Sequence, residues 1–98
     1  MVHFKHTSHS RQRAQQRAVS DSLTQMVLRY GSTTAAHGKG AVYYYISRQS
    51  IAHMVRDGAS RKLLDEASKK MGCRWVVSSD DQTLITIKYM DKRKRRIH

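Results

Sequence analysis

Proline is absent from this chain of 98 residues, and no internal repeat or low-complexity linker interrupts it. The sequence therefore shows no domain boundary, and its length is that of one domain with one modest core. We predict a single domain over residues 1–98, with flexible basic ends at residues 1–7 and 91–98.

Cysteine is nearly absent, since Cys73 is the only one. A single cysteine excludes an internal disulfide and favours a reducing cytoplasm. Residues 1–15 are polar and lack the apolar segment of a signal peptide. No apolar run approaches the length of a membrane span. We therefore expect a soluble cytoplasmic protein that does not bind membranes.

Acidic residues are also scarce. Seven Asp and Glu oppose 19 Lys and Arg, which gives a net charge of +12 and a sequence pI near 10.5. A compact domain with this charge repels itself unless a polyanion offsets it, and nucleic acid is the commonest such partner. Solubility alone requires less charge than this. The composition predicts affinity for RNA or another nucleic acid.

Aromatic residues make up only 7% of the chain, so the core must come from a few apolar segments. Serines in cap-like positions, glycines and apolar periodicity mark the elements. In chain order they predict a helix from Ser8 or Ser10 to about Ala18, a helix between Ser20 and Gly31, a strand over AVYYYIS, a helix that ends at Gly58, a helix between Ser60 and Gly72, and a hairpin of CRWVVSS and LITIKYM.

These elements predict an α+β fold, in which an N-terminal helix pair packs on a small, mainly antiparallel sheet in the order ααβααββ. The two central helices form, in an alternative interpretation, one broken helix. The stretch STTAAHGKG is interpreted as a loop or a ragged strand. Among the three consecutive tyrosines of AVYYYIS, Tyr44 is expected to face opposite to Tyr43 and Tyr45, because side chains alternate along a strand.

The stretch HSRQRAQQR places cations at a regular spacing. Residues four apart on a helix lie about 40° apart around its axis, so His9, Arg13 and Arg17 share one face. Ala14 and Ala18 then project from the opposite side of the helix, and their small side chains let the helix lie close to the sheet. Like charges at this spacing destabilise a helix by a few tenths of a kcal/mol per pair. Three explanations of this row stay open. The row has a function, it has an acidic neighbour elsewhere in the fold, or its arginines are only solvated.

Arginine and histidine together suit the cleavage of RNA without a metal. A guanidinium binds phosphate oxygens through two parallel hydrogen bonds, and an imidazole moves protons near neutral pH. We predict His9 as general acid or base and Arg13 and Arg17 as phosphate ligands. His3, His6 and His9 recur every third residue, but no Cys, Asp or Glu joins them nearby. We therefore predict neither a metal nor a cofactor.

Further cations are candidates for RNA contacts. Lys39 lies between two glycines in HGKG, a loop that exposes backbone amides but lacks the spacing of a P-loop. The closing strand adds Lys88 and Tyr89, and the tail KRKRR is a basic arm suited to phosphate contacts. The predicted contacts of this tail are Lys92, Arg93, Arg95 and Arg96.

The opening segment HSRQRAQQRAVSDSLTQMVLRYG resembles a small bacterial family, number four-two-five-eight among the domains of unknown function. That family begins with a pattern like H-A-x-x-R-M-x-x-R-G-I-S, which is matched here by His9, Arg13, Arg17, Val19 and Ser20. Ala14 stands where the family often has Met, and Ala18 where it often has Gly.

The end of the chain resembles the same family. Its closing strand often has V-V-T-V-Y and a basic residue, and LITIKYMDKRKRR is similar, which places Thr86 and Tyr89 in that segment. The middle, about residues 47–72, then looks like an insertion. The family is similar in organisation to small ribonuclease toxins with RelE-like or barnase/colicin-like folds, in which helices precede an antiparallel sheet that carries the catalytic residues.

This resemblance implies that the predicted row of cations faces a sheet surface with Thr86 and Lys88, where Thr86 or Tyr89 assists catalysis. It favours a metal-independent endoribonuclease, the toxin of a toxin–antitoxin or mobile-element system, with an acidic antitoxin as partner. Two alternatives stay open: a non-catalytic nucleic-acid-binding module, and a basic interaction or inhibitor protein that docks an acidic partner.

Overall fold

The computed structural model describes residues 5–35 and 40–90, which form four helices and a five-stranded sheet. In chain order the elements are β1 (Lys5–His6), α1 (Ser8–Gln16), α2 (Asp21–Tyr30), β2 (Ser32–Ala35), β3 (Ala41–Tyr45), α3 (Arg48–Arg56), α4 (Arg61–Lys69), β4 (Cys73–Ser78) and β5 (Thr83–Tyr89). The α+β class and the mainly antiparallel sheet are confirmed. The predicted alternative of one broken central helix is wrong, since α3 and α4 are separate.

The predicted order ααβααββ is wrong in two places, because β1 precedes the helices and β2 follows α2. Strand β1 has two residues and pairs parallel with β5, so it is too short to show a periodicity. Strand β2 reads STTA and is largely exposed. It lacks the apolar alternation of a half-buried strand. Its antiparallel pairing with β3 makes it a strand.

The strands lie in the order β1-β5-β4-β3-β2. The register between β4 and β5 shifts at a bulge, where Val76 pairs with Thr86 but Val77 pairs with Leu84. The extra residue on β5 is Ile85, and beyond it the alternation of side chains resumes. The bulge thereby keeps the apolar residues of both strands directed toward the helices.

One apolar core lies between this face of the sheet and the four helices. Trp75 is completely buried at its centre, and its Nε1 donates to Thr24 Oγ1 at 3.0 Å. Tyr44 packs against the same core, which confirms that it faces opposite to its two tyrosine neighbours. The buried residues that the four helices contribute are Ser10, Ala14, Leu23, Thr24, Val27, Ser50, Met54 and Ala67.

Hydroxyl side chains begin every helix. Ser20, Ser47 and Ser60 cap α2, α3 and α4, which confirms the predicted caps at Ser20 and Ser60. The prediction for α1 was wrong, since its cap is Thr7, whose Oγ1 accepts from the Ser10 amide at 2.9 Å. The Ser10 hydroxyl is buried and donates to the Thr7 carbonyl at 3.0 Å.

Helix α1 ends earlier than predicted, at Gln16. Ala18 adopts a left-handed conformation with φ of 53° and is exposed, so the expectation that it packs on the sheet was wrong. Ala14 alone makes that close approach, with 6% of its surface exposed. The left-handed residue turns the chain into α2, since the Val19 amide donates back to the Ala14 carbonyl at 2.9 Å.

Candidate nucleic-acid interface

The outward side of α1 carries two of the predicted site residues in contact. Ser10 and Ala14 point into the protein, which leaves His9 and Arg13 on the opposite side. Arg13 Nε donates to His9 Nε2 at 3.5 Å, and Arg13 Nη1 donates to Gln16 Oε1 at 3.3 Å. The structure thus joins an imidazole and a guanidinium at the surface.

Arg17 does not extend this row outward. Its Nε donates to the Ile87 carbonyl of β5 at 3.1 Å, and its own carbonyl accepts from Lys70 Nζ at 2.6 Å. Because β1 is only two residues long, the β5 edge beyond it needs other donors. Thr7 Oγ1 supplies one to the Ile85 carbonyl at 3.1 Å, and Arg17 supplies the next. Arg17 therefore anchors α1 to the sheet edge.

The second surface of interest is the sheet face that points away from the helices, which we call the open face. The strand register places on it residues that alternate with those packed in the core. Six of them matter here: Tyr43, Tyr45, Arg74, Val76, Thr86 and Lys88. None of the described helices packs on this face, and all six residues are half-buried.

Thr86 and Lys88 are therefore on the opposite side of the sheet from His9 and Arg13. Ile87, between them, is completely buried beneath the helices, so the two flanking side chains point to the open face. The structure does not bring the four predicted catalytic residues together: His9 and Arg13 touch, Arg17 binds the strand edge, and Thr86 is on the far face.

Two cations lie over two tyrosine rings on the open face. Lys88 Nζ is 4.7 Å from the Tyr43 ring centroid and donates to the Tyr43 hydroxyl at 2.8 Å. The Arg74 guanidinium carbon is 4.5 Å from the Tyr45 ring centroid. Arg74 Nη1 also donates to the carbonyls of Met71 and Cys73, at 3.3 and 3.1 Å. Each ring attracts its cation through the negative charge of the π face.

Arg74 and Lys88 are direct partners in the β4–β5 register. Like charges directly opposite each other on neighbouring strands destabilise a sheet. Two tyrosine rings offset this repulsion, and an anion on the open face would relieve it further. The sequence prediction included Lys88 but missed Arg74. Its position between two inward-facing residues in CRWVV could have placed Arg74 on the outward face of the strand.

The other predicted contacts do not join these two surfaces. Tyr89 is paired with Cys73 and covers Gly72, where an added Cβ would lie 3.0 Å from the Tyr89 Cζ. Tyr89 is 51% exposed and faces opposite to Lys88. The remaining predicted contacts lie outside the described residues: Lys39, Lys92, Arg93, Arg95 and Arg96.

Four of the six acidic side chains in the described residues are engaged within the fold by groups other than lysine and arginine. Four carboxylates of the described part of the chain have such partners: His6 for Asp21, Tyr30 for Asp57, Ser20 for Glu66 and Thr83 for Asp81. The hydrogen bond to Asp57 raises the pKa of the Tyr30 hydroxyl, and hydrogen bonds from Thr83 lower the pKa of the Asp81 carboxyl. In residues 5–35 and 40–90 the one basic side chain within salt-bridge distance of a carboxylate is His6, whose Nε2 lies 3.4 Å from Asp21 Oδ1.

Cys73 does not contribute a nucleophile to either surface. Its side chain is 1% exposed, and burial raises the pKa of the thiol above its usual value, although Lys70, Arg17 and Arg74 favour the thiolate. Within the described ranges no group of three or more His, Cys, Asp or Glu side chains is placed to hold a metal ion.

A groove of about 710 Å³ lies between α4 and the turn that holds Ala18. Its lining is charged and contains four cations, Arg61, Lys62, Lys69 and Lys70. Asp65 and Glu66 lie among them, so this groove is less uniformly positive than the open face. No helix in the described part of the chain is both long and apolar enough to cross a membrane.

Comparison of the chain with family models, curated proteins and solved structures finds no match. The resemblance to family four-two-five-eight and to RelE-like ribonucleases therefore stays a prediction. The geometry of α1 and of the open face is the basis for assigning a function.

Proposed function

We propose that this protein binds RNA and that its exposed cations contact the phosphates. The observation that carries this proposal is which partners the charged side chains have within the fold. Four of the six carboxylates in the described residues have hydroxyl, amide or imidazole partners. By contrast, Arg17 and Lys70 contact backbone carbonyls. Arg74 and Lys88 lie over tyrosine rings. The excess of cations over carboxylates in the described residues is therefore not neutralised within the fold. A polyanion is the ligand that such a surface attracts.

The His9–Arg13 pair is one expected phosphate site. Arg13 Nε lies 3.5 Å from His9 Nε2, so the guanidinium and the imidazole are side by side on the outward side of α1. A phosphate beside the pair would accept hydrogen bonds from the Arg13 guanidinium and from the ring N–H of His9.

The proposal is tested by fluorescence anisotropy with a labelled RNA oligonucleotide at low salt. Arg13→Gln should weaken binding about threefold or more, because it removes a phosphate contact. Arg56→Gln is the matched control, since it removes the same charge from α3, which packs against α2 and α4. Absence of RNA binding at low salt overturns the proposal. Equal losses in the two variants would show that binding follows net charge and not a site on α1.

A second candidate function is metal-independent RNA cleavage, which the contact between His9 and Arg13 favours. His9 Nε2 accepts a hydrogen bond and so has the lone pair that a general base needs to take the proton of a 2′-hydroxyl. The substrate 2′-hydroxyl would replace Arg13 Nε as the hydrogen-bond donor to His9 Nε2. The 2′-oxygen would then attack phosphorus as the bond to the 5′-oxygen breaks, with a proton from solvent going to the leaving 5′-oxygen. Arg13 would stabilise the charge that develops on the phosphoryl oxygens. This candidate works without Thr86. The partner that it implies is an acidic antitoxin that covers the basic surface, as in toxin–antitoxin systems.

Cleavage is tested on end-labelled RNA in the presence of EDTA. The candidate predicts cleavage products that persist in EDTA and disappear in His9→Ala, whereas Arg11→Ala retains them. All variants are purified in parallel, so that a contaminating nuclease would appear equally in each. Binding without cleavage excludes the enzyme and leaves the binding module. Products that persist in His9→Ala also contradict the assignment.

A further inference from the structure

We propose that the open face binds the bases of single-stranded RNA, with Tyr43 and Tyr45 as stacking rings. This inference rests on the proposed function, since it names the form of RNA and a surface that recognises it. It is carried by the tyrosines and cations of β3, β4 and β5, and not by the His9–Arg13 pair.

The strand geometry separates the two rings. Tyr43 and Tyr45 are two residues apart on β3, so their Cα atoms are about 7 Å apart and their side chains point to the same face. Each ring has room for its own base. Tyrosine rings on a sheet surface stack on bases without selecting the sequence, because every base has a π face.

The cations over the two tyrosine rings indicate where the phosphates of a bound strand lie. In the free protein Lys88 and Arg74 cover Tyr43 and Tyr45, and they stand opposite each other across β4 and β5. When a base stacks on each ring, Lys88 Nζ and the free nitrogens of Arg74 turn to the adjoining phosphates. The phosphates then neutralise the repulsion between the two cations. Each tyrosine and its cation thereby bind one nucleotide, the ring through the base and the cation through the phosphate.

A single strand fits this face better than a duplex does. The bases of a duplex are stacked on each other and offer no free π face, so a duplex contacts a protein surface through phosphates and groove edges. A second copy of this chain fits poorly, because its Arg74 and Lys88 would meet the same cations. An acidic peptide would neutralise the cations but leave the tyrosine rings without a stacking partner.

The test compares single-stranded RNA with a duplex of the same sequence on two double variants. Tyr43→Leu/Tyr45→Leu removes both rings, and Tyr43→Phe/Tyr45→Phe keeps the rings while it removes the hydroxyls. The Leu variant should lose at least about tenfold in single-strand affinity and less than about threefold in duplex affinity. The Phe variant should stay within about threefold of the wild type for both ligands. Circular dichroism establishes that each variant is folded.

A second measurement uses the wild-type protein, so it does not depend on the folding of a variant. RNA with 4-thiouridine is photocrosslinked to the protein, and the crosslinked peptide is identified by mass spectrometry. Crosslinks at Tyr43 or Tyr45 support the inference. Crosslinks confined to α1, or equal affinity of the Leu and Phe variants for single strands, overturn it while RNA binding stands. If no RNA binds at low salt, the proposed function fails as well.

Discussion

Arg13 and Arg17 belong to one predicted row of cations, yet their side chains have different partners. The Arg13 side chain lies along the surface of α1 and contacts His9 and Gln16. Arg17 follows the last residue of α1 and binds a carbonyl of β5. At the scale of single residues, the same residue type thus supplies a surface cation in one place and a structural anchor four positions later.

Arg17→Ala should lower the free energy of unfolding by about 1 kcal/mol, because the Ile87 carbonyl at the β5 edge loses its donor. Arg13→Ala should change it by less than about 0.5 kcal/mol, since its bonds are at the surface. Urea unfolding followed by circular dichroism measures both. Equal changes in the two variants would contradict the different roles.

Ala18→Gly should stabilise the protein by about 0.5–1 kcal/mol. Alanine pays a steric cost for its φ of 53°, whereas glycine adopts this conformation without a clash and loses part of the gain to its greater freedom when unfolded. Ala14→Gly is the contrasting variant and should destabilise, because Ala14 is buried inside α1. A lower melting temperature for Ala18→Gly would show that the turn does not strain Ala18.

At the scale of elements, Glu66 joins α4 to the start of α2. Its carboxylate accepts from the Ser20 amide and the Ser20 hydroxyl, both at 2.9 Å. Ser20 is also the cap of α2, since its Oγ accepts from the Leu23 amide at 3.1 Å. An acidic group at a helix N-terminus is favoured by the helix dipole.

Glu66→Ala should lower the free energy of unfolding by about 1–2 kcal/mol, since two hydrogen bonds to a carboxylate at a partly exposed site are lost. Asp65→Ala is the matched control: it removes the same charge from the neighbouring exposed position and should cost less than about 0.5 kcal/mol. Thermal or urea unfolding of both variants checks this. Similar losses of unfolding free energy in the two variants would show that the negative charge on α4 stabilises the protein, and not the contact between Glu66 and Ser20.

The elements that could be predicted from the sequence are those set by local rules. Helices α2 and α4 follow from a serine cap and apolar residues at helical spacing, and the β4–β5 hairpin follows from two apolar runs around a polar turn. Strand β1 could not be predicted, because it is short and exists through pairing with the distant β5. Strand β2 lies in STTAAHGKG, for which a loop and a ragged strand both stayed open, and its pairing with β3 makes it a strand. Long-range pairing leaves no periodicity in the strand itself.

The candidate site divides in the same way. Helical spacing predicted the His9–Arg13 contact, and strand alternation predicted that Tyr43 and Tyr45 share a face. The placement of Lys88 and Arg74 over those rings depends on the register across three strands, and the bulge at Ile85 shifts the β4–β5 part of that register. Register is a tertiary property, so Thr86 was expected beside the α1 cations and lies on the other side of the sheet.

At the scale of the whole molecule, the sheet separates two basic surfaces. Helix α1 presents His9 and Arg13 on one side, and the open face presents Arg74 and Lys88 on the other. The central claim is that these cations bind RNA phosphates. Each phosphate contact to a single strand releases counterions and contributes about −0.7 to the slope of log affinity against log salt concentration.

The most direct test is the affinity of the wild-type protein for a single-stranded RNA oligonucleotide between roughly 50 and 200 mM salt. Contacts by Arg13, Arg74 and Lys88 predict a slope of about −2 or steeper, which is a loss of more than about tenfold over this range. Lys88→Gln should make the slope shallower by about 0.7. Affinity that does not change with salt, or no binding at the lowest salt concentration, would contradict the claim.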